Sequence, residues 1–219
     1  MQISTAGIER SRLPRMMQFA LGTHNRKKLV ELQELLGDLP VELVTLADLP
    51  HAIAVNETGI TFVENARLKA SEQARHLQMW VLAEDSGISV DALHGRPGVY
   101  SARFAGPTAS DEDNNRRLLH ELTAVPQAAR SAHYTCQLCL AEPSGEIVLE
   151  ATGECHGVIC DHPRGNHGFG YDPLFLIPEY HKTLGQLGGT VKRAISHRAR
   201  AMRRFRMQLQ QLLTQQSAV

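Results

Sequence analysis

Four short stretches of this chain hold residue types that could do chemistry together. Val81-Leu82-Ala83-Glu84-Asp85-Ser86-Gly87 is an apolar run that stops at two carboxylates, a hydroxyl and a glycine. Open α/β sheets build ligand sites where a buried strand delivers polar groups to its C-terminal end. A plain turn or helix cap is the competing reading, weakened here because Ile88, Val90 and Ala92 alternate as a strand after the acids. Thr23-His24-Asn25-Arg26-Lys27-Lys28 lies between a short strand and a helix start, where free backbone N–H groups and the helix dipole attract an anion. Thr23 or Asn25 could serve there only as a cap, with Lys28 solvated. Cations at a helix N-terminus oppose its dipole, however, so Arg26, Lys27 and Lys28 in succession make sense mainly with an anion between them. Gly168-Phe169-Gly170-Tyr171-Asp172-Pro173 interleaves two aromatics with glycine. Either it leaves a π-face open for stacking on a base, or it is a tight turn packed on the core. Ser196-His197-Arg198, with Lys192 just before it, adds further polar groups near a helix start.

The elements that must position these groups follow from hydrophobic period. Residues 18–21 read as a strand, and Leu29, Leu32, Leu35 and Leu36 predict a helix that Gly37 ends. Residues 41–46 form a second strand. Thr61-Phe62-Val63-Glu64 is a capping box that opens a helix to about Gln78, burying Phe62, Ala66, Ala70, Ala74 and Leu77. The box gives Glu64 a structural job. Asn65 and Lys69 are one helical turn apart and could face a cleft together, or Lys69 could be solvated. The strand 80–83 then ends at the acids, and Ser110 caps a helix to about Leu122. Strands 132–141 and 146–153 pair across Pro143-Ser144-Gly145, residues 157–159 form a further short strand, and 160–168 are a mobile loop candidate. A final helix from about Val191 to Leu213 buries Ile195, Met202, Phe205, Leu209 and Leu212, with its arginines solvated.

The 219 residues make one ordinary domain, over 17–215, behind a tail over 1–16 that has neither period and reads as disordered. The pair Met16-Met17 before the first strand suggests that translation begins there. Lys+Arg 23 balances Asp+Glu 23, so the chain has no general attraction for nucleic acid and any anion site must be local. No apolar run approaches the roughly 18 residues of a membrane span. Four cysteines without a secretory segment point to a reducing, cytoplasmic setting. Cys136 and Cys139 have C-x-x-C spacing, but residues three apart on a strand face opposite ways, which favours core cysteines over a metal or redox pair.

Six ordered blocks resemble the inosine triphosphate pyrophosphatase family: Thr23-x-Asn25-x-x-Lys28, Glu57-Thr58-Gly59-x-Thr61-Phe62-x-Glu64-Asn65-Ala66-x-x-Lys69-Ala70, Glu84-Asp85-Ser86-Gly87, Pro97-Gly98-x-Tyr100-Ser101-Ala102-Arg103, Gly168 to Pro173 and Ser196-His197-Arg198. The resemblance implies an α/β fold, a long twisted mixed sheet flanked by helices, with a nucleotide cleft between two lobes. It implies Mg²⁺-dependent hydrolysis of non-standard purine nucleoside triphosphates (ITP, dITP, XTP) to the monophosphate and pyrophosphate, by a homodimer. Glu57 and Asp85 would hold Mg²⁺, and Asp85 would also accept the proton of the attacking water. Thr23, His24, Asn25, Arg26, Lys27, Lys28, Lys69, Ser86, Phe169, Gly170, Tyr171, Asp172, Lys192, His197 and Arg198 would contact the nucleotide. The family often has Asp where Glu84 stands, and a more helical, acid-rich stretch where this chain has Leu184-Gly185-Gln186-Leu187-Gly188-Gly189-Thr190. A septum-formation-inhibitor-like pyrophosphatase with another base preference, and a silent nucleotide-binding protein on the same scaffold, are the competing readings.

Overall fold

The computed structural model describes residues 16–22, 26–37 and 39–216, without the side chains of 26, 27, 215 and 216. Residues 1–15 of the tail read over 1–16, and the turn 23–25, lie outside the described residues. One seven-stranded sheet of order β2-β1-β3-β4-β5-β6-β7 organises the rest. Strand β1 (Met17–Leu21) leads through helix α1 (Arg26–Leu36) to β2 (Val41–Thr45), and helix α2 (Phe62–Leu77) leads to β3 (Trp80–Val90) on the other side of β1. These three strands are parallel. Phe19, Ala20 and Leu21 are fully buried, as expected of a strand covered on both faces. After helix α3 (Asp111–Glu121) the sheet continues antiparallel through β4 (Ser131–Ala141), β5 (Ile147–Ile159), β6 (Phe175–Ile177) and β7 (Lys182–Thr183). Helices α4 (Gly189–Ile195) and α5 (His197–Gln216) close the chain.

The two sheet faces are covered differently. On one, α1 and α5 pack Leu32, Leu36, Met202, Phe205 and Leu209 onto Phe19, Leu21 and Leu82. On the other, the small stripe Ala66, Ala70 and Ala74 lets α2 ride close over Ala20, Val81 and Ala83. A third cluster, around Ile88, Leu118, Tyr171 and Phe175, forms the second lobe. Cys136 belongs to the α5 face and Cys139 to the α2 face, so the C-x-x-C pair is split as strand geometry requires. All four cysteines are buried and free.

Three expectations change. The strand expected to stop at the acids does not: β3 is one element of 11 residues, and Glu84 to Gly87 pair with Leu138, Gln137, Cys136 and Thr135 of β4. Residues 157–159 are the end of β5, which has 13 residues. Its glycines are close-approach points and not breaks, since a Cβ at Gly153 would lie 2.2 Å from Ala201 N and one at Gly157 would lie 2.4 Å from Leu176 O. The final helix is two, because Ser196 is extended (ψ 157) and its Oγ accepts the Ala199 N–H at 3.1 Å, a cap that starts α5 afresh. That break swings His197 and Arg198 into the interior, where both are buried. The connection 160–168 has no regular element but is tethered by Cys160 N–H to Leu174 O, Arg164 N–H to Pro173 O and His167 N–H to Gly185 O. Among the described residues no helix is long and apolar enough to cross a membrane.

Candidate active site

Strand order β2-β1-β3 makes a topological switch point: the chain leaves β1 for one neighbour and returns to β3 on the other side. A crevice must open beyond the carboxyl ends of such strands. Pairing of β1 with β3 ends at Leu21 and Leu82, so the next residues of β3 are released from that neighbour while β4 still holds them. After Ala83 those residues are Glu84, Asp85 and Ser86, and the strand period sends Asp85 to the α2 face and its two neighbours to the α1/α5 face.

On the α2 face, Lys69 bridges two carboxylates. Its Nζ donates to Asp85 Oδ1 at 2.7 Å and lies 3.5 Å from Glu57 Oε2. The other oxygen, Asp85 Oδ2, is buried without a partner. Burial pushes the Asp85 carboxyl above its usual range, and the Lys69 and Lys28 charges oppose this without cancelling it. A cavity of about 340 Å³ is lined by Lys28, Glu57, Lys69, Glu84, Asp85 and Ser86, with Arg103 also in its lining. Two carboxylates and one unused oxygen suit a small hard cation that keeps water and takes further ligands from its substrate. Among the described residues no three His, Cys, Asp or Glu side chains converge as a complete cage.

On the opposite face Glu84 is fully buried and takes a bidentate pair from Arg198, Nε at 2.9 Å and Nη2 at 2.8 Å. Lys28 Nζ lies 3.3 Å from the same carboxylate. Burial alone would raise the Glu84 pKa, but the Arg198 and Lys28 charges hold it well below the carboxylate range. Glu84 therefore serves the cations on the face of β3 opposite Asp85. Arg198 also donates to Glu31, and its Nη2 reaches Ser86 Oγ at 3.4 Å. Lys192 donates to Glu31 and Asp172, each at 2.8 Å; burial would lower its pKa, yet those carboxylates raise it and keep it charged.

A second cavity of about 110 Å³ adjoins the first, and Lys28, Ser86 and Ala102 line both. Phe169 forms its aromatic wall, with Lys192 Nζ 4.8 Å and Arg198 Cζ 5.7 Å from the ring centroid. Gly168 and Gly170 have φ of 80° and 62°, which places this turn in the left-handed region that glycine favours. Asp111 accepts the Gly170 N–H at 2.8 Å and Asp172 that of Phe169 at 3.0 Å. Tyr171 is buried and its hydroxyl donates to Ser101 O at 2.8 Å, so only Phe169 is half-open. His197 stacks on Tyr134 at 4.6 Å.

Lys28, Lys69, Ser86, Phe169, Gly170, Tyr171, Asp172, Lys192, His197, Arg198, Glu57 and Asp85 thus share one pair of adjoining cavities. Thr23, His24 and Asn25 lie outside the described residues, as do the side chains of Arg26 and Lys27. Glu31 and Tyr134 were not anticipated. Residues 184–187 form a turn, ahead of α4, in which Leu184 and Leu187 are buried and the Gln186 side chain accepts the Thr183 N–H at 3.1 Å.

His197 gives a pH-dependent expectation. Burial first, and then the Arg198 charge, hold its pKa well below the usual 6.5. The native state therefore binds fewer protons than the unfolded chain below pH 6.5, and stability rises with pH through that window and falls as pH drops. Its share of the slope approaches about 1.4 kcal/mol per pH unit. Urea unfolding between pH 7 and pH 5 should lose that slope in His197→Gln; an unchanged slope would contradict the assignment.

The profile of the Ham1 family matches residues 19–208. A dITP/XTP pyrophosphatase of Rhodopirellula baltica is 55% identical over 203 residues, covering 93% of this chain and 98% of the relative. One from Exiguobacterium sp. is 48% identical over 193 residues, covering 88% and 97%. Among solved structures, a HAM1 protein from Coxiella burnetii superimposes with TM-score 0.83 at 37% identity, covering 90% of this chain and 100% of its own. With sequence and sheet in agreement over nearly its whole length, the chain belongs to the Ham1 family.

Proposed function

We propose that the chain is a nucleoside triphosphate pyrophosphatase that cleaves ITP, dITP and XTP to the monophosphate and pyrophosphate, with Mg²⁺, as a homodimer in the cytoplasm. The observation that carries the chemistry is the adjacency of the two cavities across Lys28 and Ser86, one with two carboxylates around a lysine, the other with a half-open aromatic face flanked by cations. A purine triphosphate has that polarity. The dITP/XTP pyrophosphatase name of the relatives supports the same class. The homodimer comes from the family resemblance; the four buried free thiols accord with a reducing cytoplasm.

Phosphoryl-type hydrolysis asks a protein chiefly for positioning and positive charge. Lys28 and Lys69 receive the phosphates. Asp85 Oδ1 is fixed by Lys69, which leaves the unpartnered Oδ2 to take the proton of a water as its oxygen bonds to the α-phosphorus. The bond from that phosphorus to the α–β bridging oxygen breaks, and pyrophosphate departs with the electron pair. Glu57 and Asp85 would hold Mg²⁺, which would supply neutralisation of the growing charge. In the second cavity Phe169 stacks on the base. Lys192 and Arg198 set a donor-rich field that rewards the 6-keto oxygen of hypoxanthine and xanthine. The 6-amino group of adenine meets donors with a donor and is left unpaired.

Rates of pyrophosphate release from ITP, dITP, XTP and ATP, with and without Mg²⁺, test this. The keto substrates should exceed ATP by roughly 10- to 100-fold in kcat/KM, and only with the metal. Equal use of ATP, or release without a divalent ion, would overturn the proposal.

A further inference from the structure

Glu57 sits on a stretch, 52–59, that has no helix or strand of its own, yet a metal-holding carboxylate must be fixed to a fraction of an ångström. Helix α2 carries the means. Asn65, Lys69 and Gln73 recur every fourth residue and so share one face of α2. Gln73 is 2% exposed and its amide meets both backbone groups of one residue. Its Oε1 accepts the Ile53 N–H at 3.1 Å and its Nε2 donates to Ile53 O at 2.8 Å, the pairing that a neighbouring strand would otherwise provide. Asn65 is fully buried and its Oδ1 accepts the Gly59 N–H at 2.8 Å. Gly59 is needed for that approach, since a Cβ there would stand 2.7 Å from the same Oδ1 and 2.6 Å from Glu64 Cβ. Between these clamps Lys69 reaches Glu57 and Asp85. Glu64 closes the downstream end by accepting the Ile60 and Thr61 N–H groups at 2.7 and 3.1 Å.

We infer that the Asn65, Lys69 and Gln73 face of α2 is a template that stretches residues 53–59 across the cavity, making Gln73 and Asn65 positioning residues for Glu57. A segment pinned at both ends and bonded in the middle through Lys69 has its carboxylate aimed without secondary structure. This rests on the reading of Glu57 as a metal-holding residue, and it deepens that reading: Gln73 and Asn65, which have no part in receiving the phosphates, set the ligand. Removing such supporting partners typically costs about 10- to 100-fold in metal affinity or activity.

The test uses full-length wild type, Gln73→Met, Asn65→Leu and Glu57→Ala. Hydrogen exchange on the wild type alone gives the first readout, with the Ile53 and Gly59 amides expected to exchange slowly. Mn²⁺ binding followed by electron paramagnetic resonance, without nucleotide, gives the second; Gln73→Met should weaken it by about 10- to 100-fold and raise the Mg²⁺ concentration for half-maximal activity in parallel, with KM for dITP little changed. Gln73→Met that melts as wild type and keeps its Mn²⁺ affinity would overturn the template, as would fast exchange at both amides. A fall in melting temperature with Mn²⁺ affinity intact in the folded protein would also overturn it, by reducing Gln73 to a packing residue. If Asn65→Leu does not fold, Gln73→Met and the exchange data decide. Glu57→Ala separates the two levels: if it leaves Mn²⁺ binding intact, the metal reading of Glu57 has failed, whereas loss in Glu57→Ala with none in Gln73→Met condemns the template alone.

Discussion

Asp85→Asn should give a folded protein whose kcat is lower by roughly 10²- to 10⁴-fold, the range a positioned proton acceptor contributes. The substitution keeps the shape of the side chain and removes its charge. Lys69, now 2.7 Å from Oδ1, would retain Glu57, at 3.5 Å, as its carboxylate partner among the described residues, and the unpartnered Oδ2 would be replaced by an amide group that cannot accept a proton. The fold should tolerate the change, because burial already works against the charged form of Asp85. Stopped assays of pyrophosphate release, with melting curves beside them, check both halves. Turnover near that of the wild type would contradict the role given to Asp85.

Arg198→Met should produce the largest loss of stability, about 3–5 kcal/mol by urea unfolding, the cost of leaving one half of a buried ion pair. Arg198 and Glu84 have side-chain exposures of 1% and 0%, and among the described residues Glu84 would keep Lys28, at 3.3 Å, as its remaining cation. Glu31 would lose one of the two cations that it has among the described residues at the same time. The double variant Arg198→Met with Glu84→Gln should recover part of the loss, since the stranded charge is then gone. A single-variant effect under about 1 kcal/mol would mean that water or another cation reaches Glu84, contrary to its burial.

Local signals in the sequence sufficed where they were strong. The Thr61 to Glu64 capping box appears with both reciprocal hydrogen bonds, the alanine stripe of α2 faces the sheet, and Cys136 and Cys139 fall on opposite faces. Residues delivered to the cavities by adjacent elements, Lys28, Lys69 and Asp85, could be named from local spacing before their meeting was seen, and Glu57 from the family resemblance alone. Partners joined over long separations could not. Glu31 lies on the polar side of α1 by periodicity, and nothing local shows that Lys192 and Arg198, 161 and 167 residues away, will close on it. Gln73 gives no local signal for the same reason, its target being an irregular stretch that carries no period. The break at Ser196 was hidden because the apolar spacing runs on through it, while the glycines of β5 suggested an interruption when they mark where α5 and β6 press on the strand.

The most direct measurement is ³¹P nuclear magnetic resonance of the products formed from dITP by the wild-type protein with Mg²⁺. Pyrophosphate and the nucleoside monophosphate should appear in equal amounts from the first turnover. Orthophosphate with the nucleoside diphosphate, or no turnover of dITP at all, would contradict the proposed chemistry of the cleft.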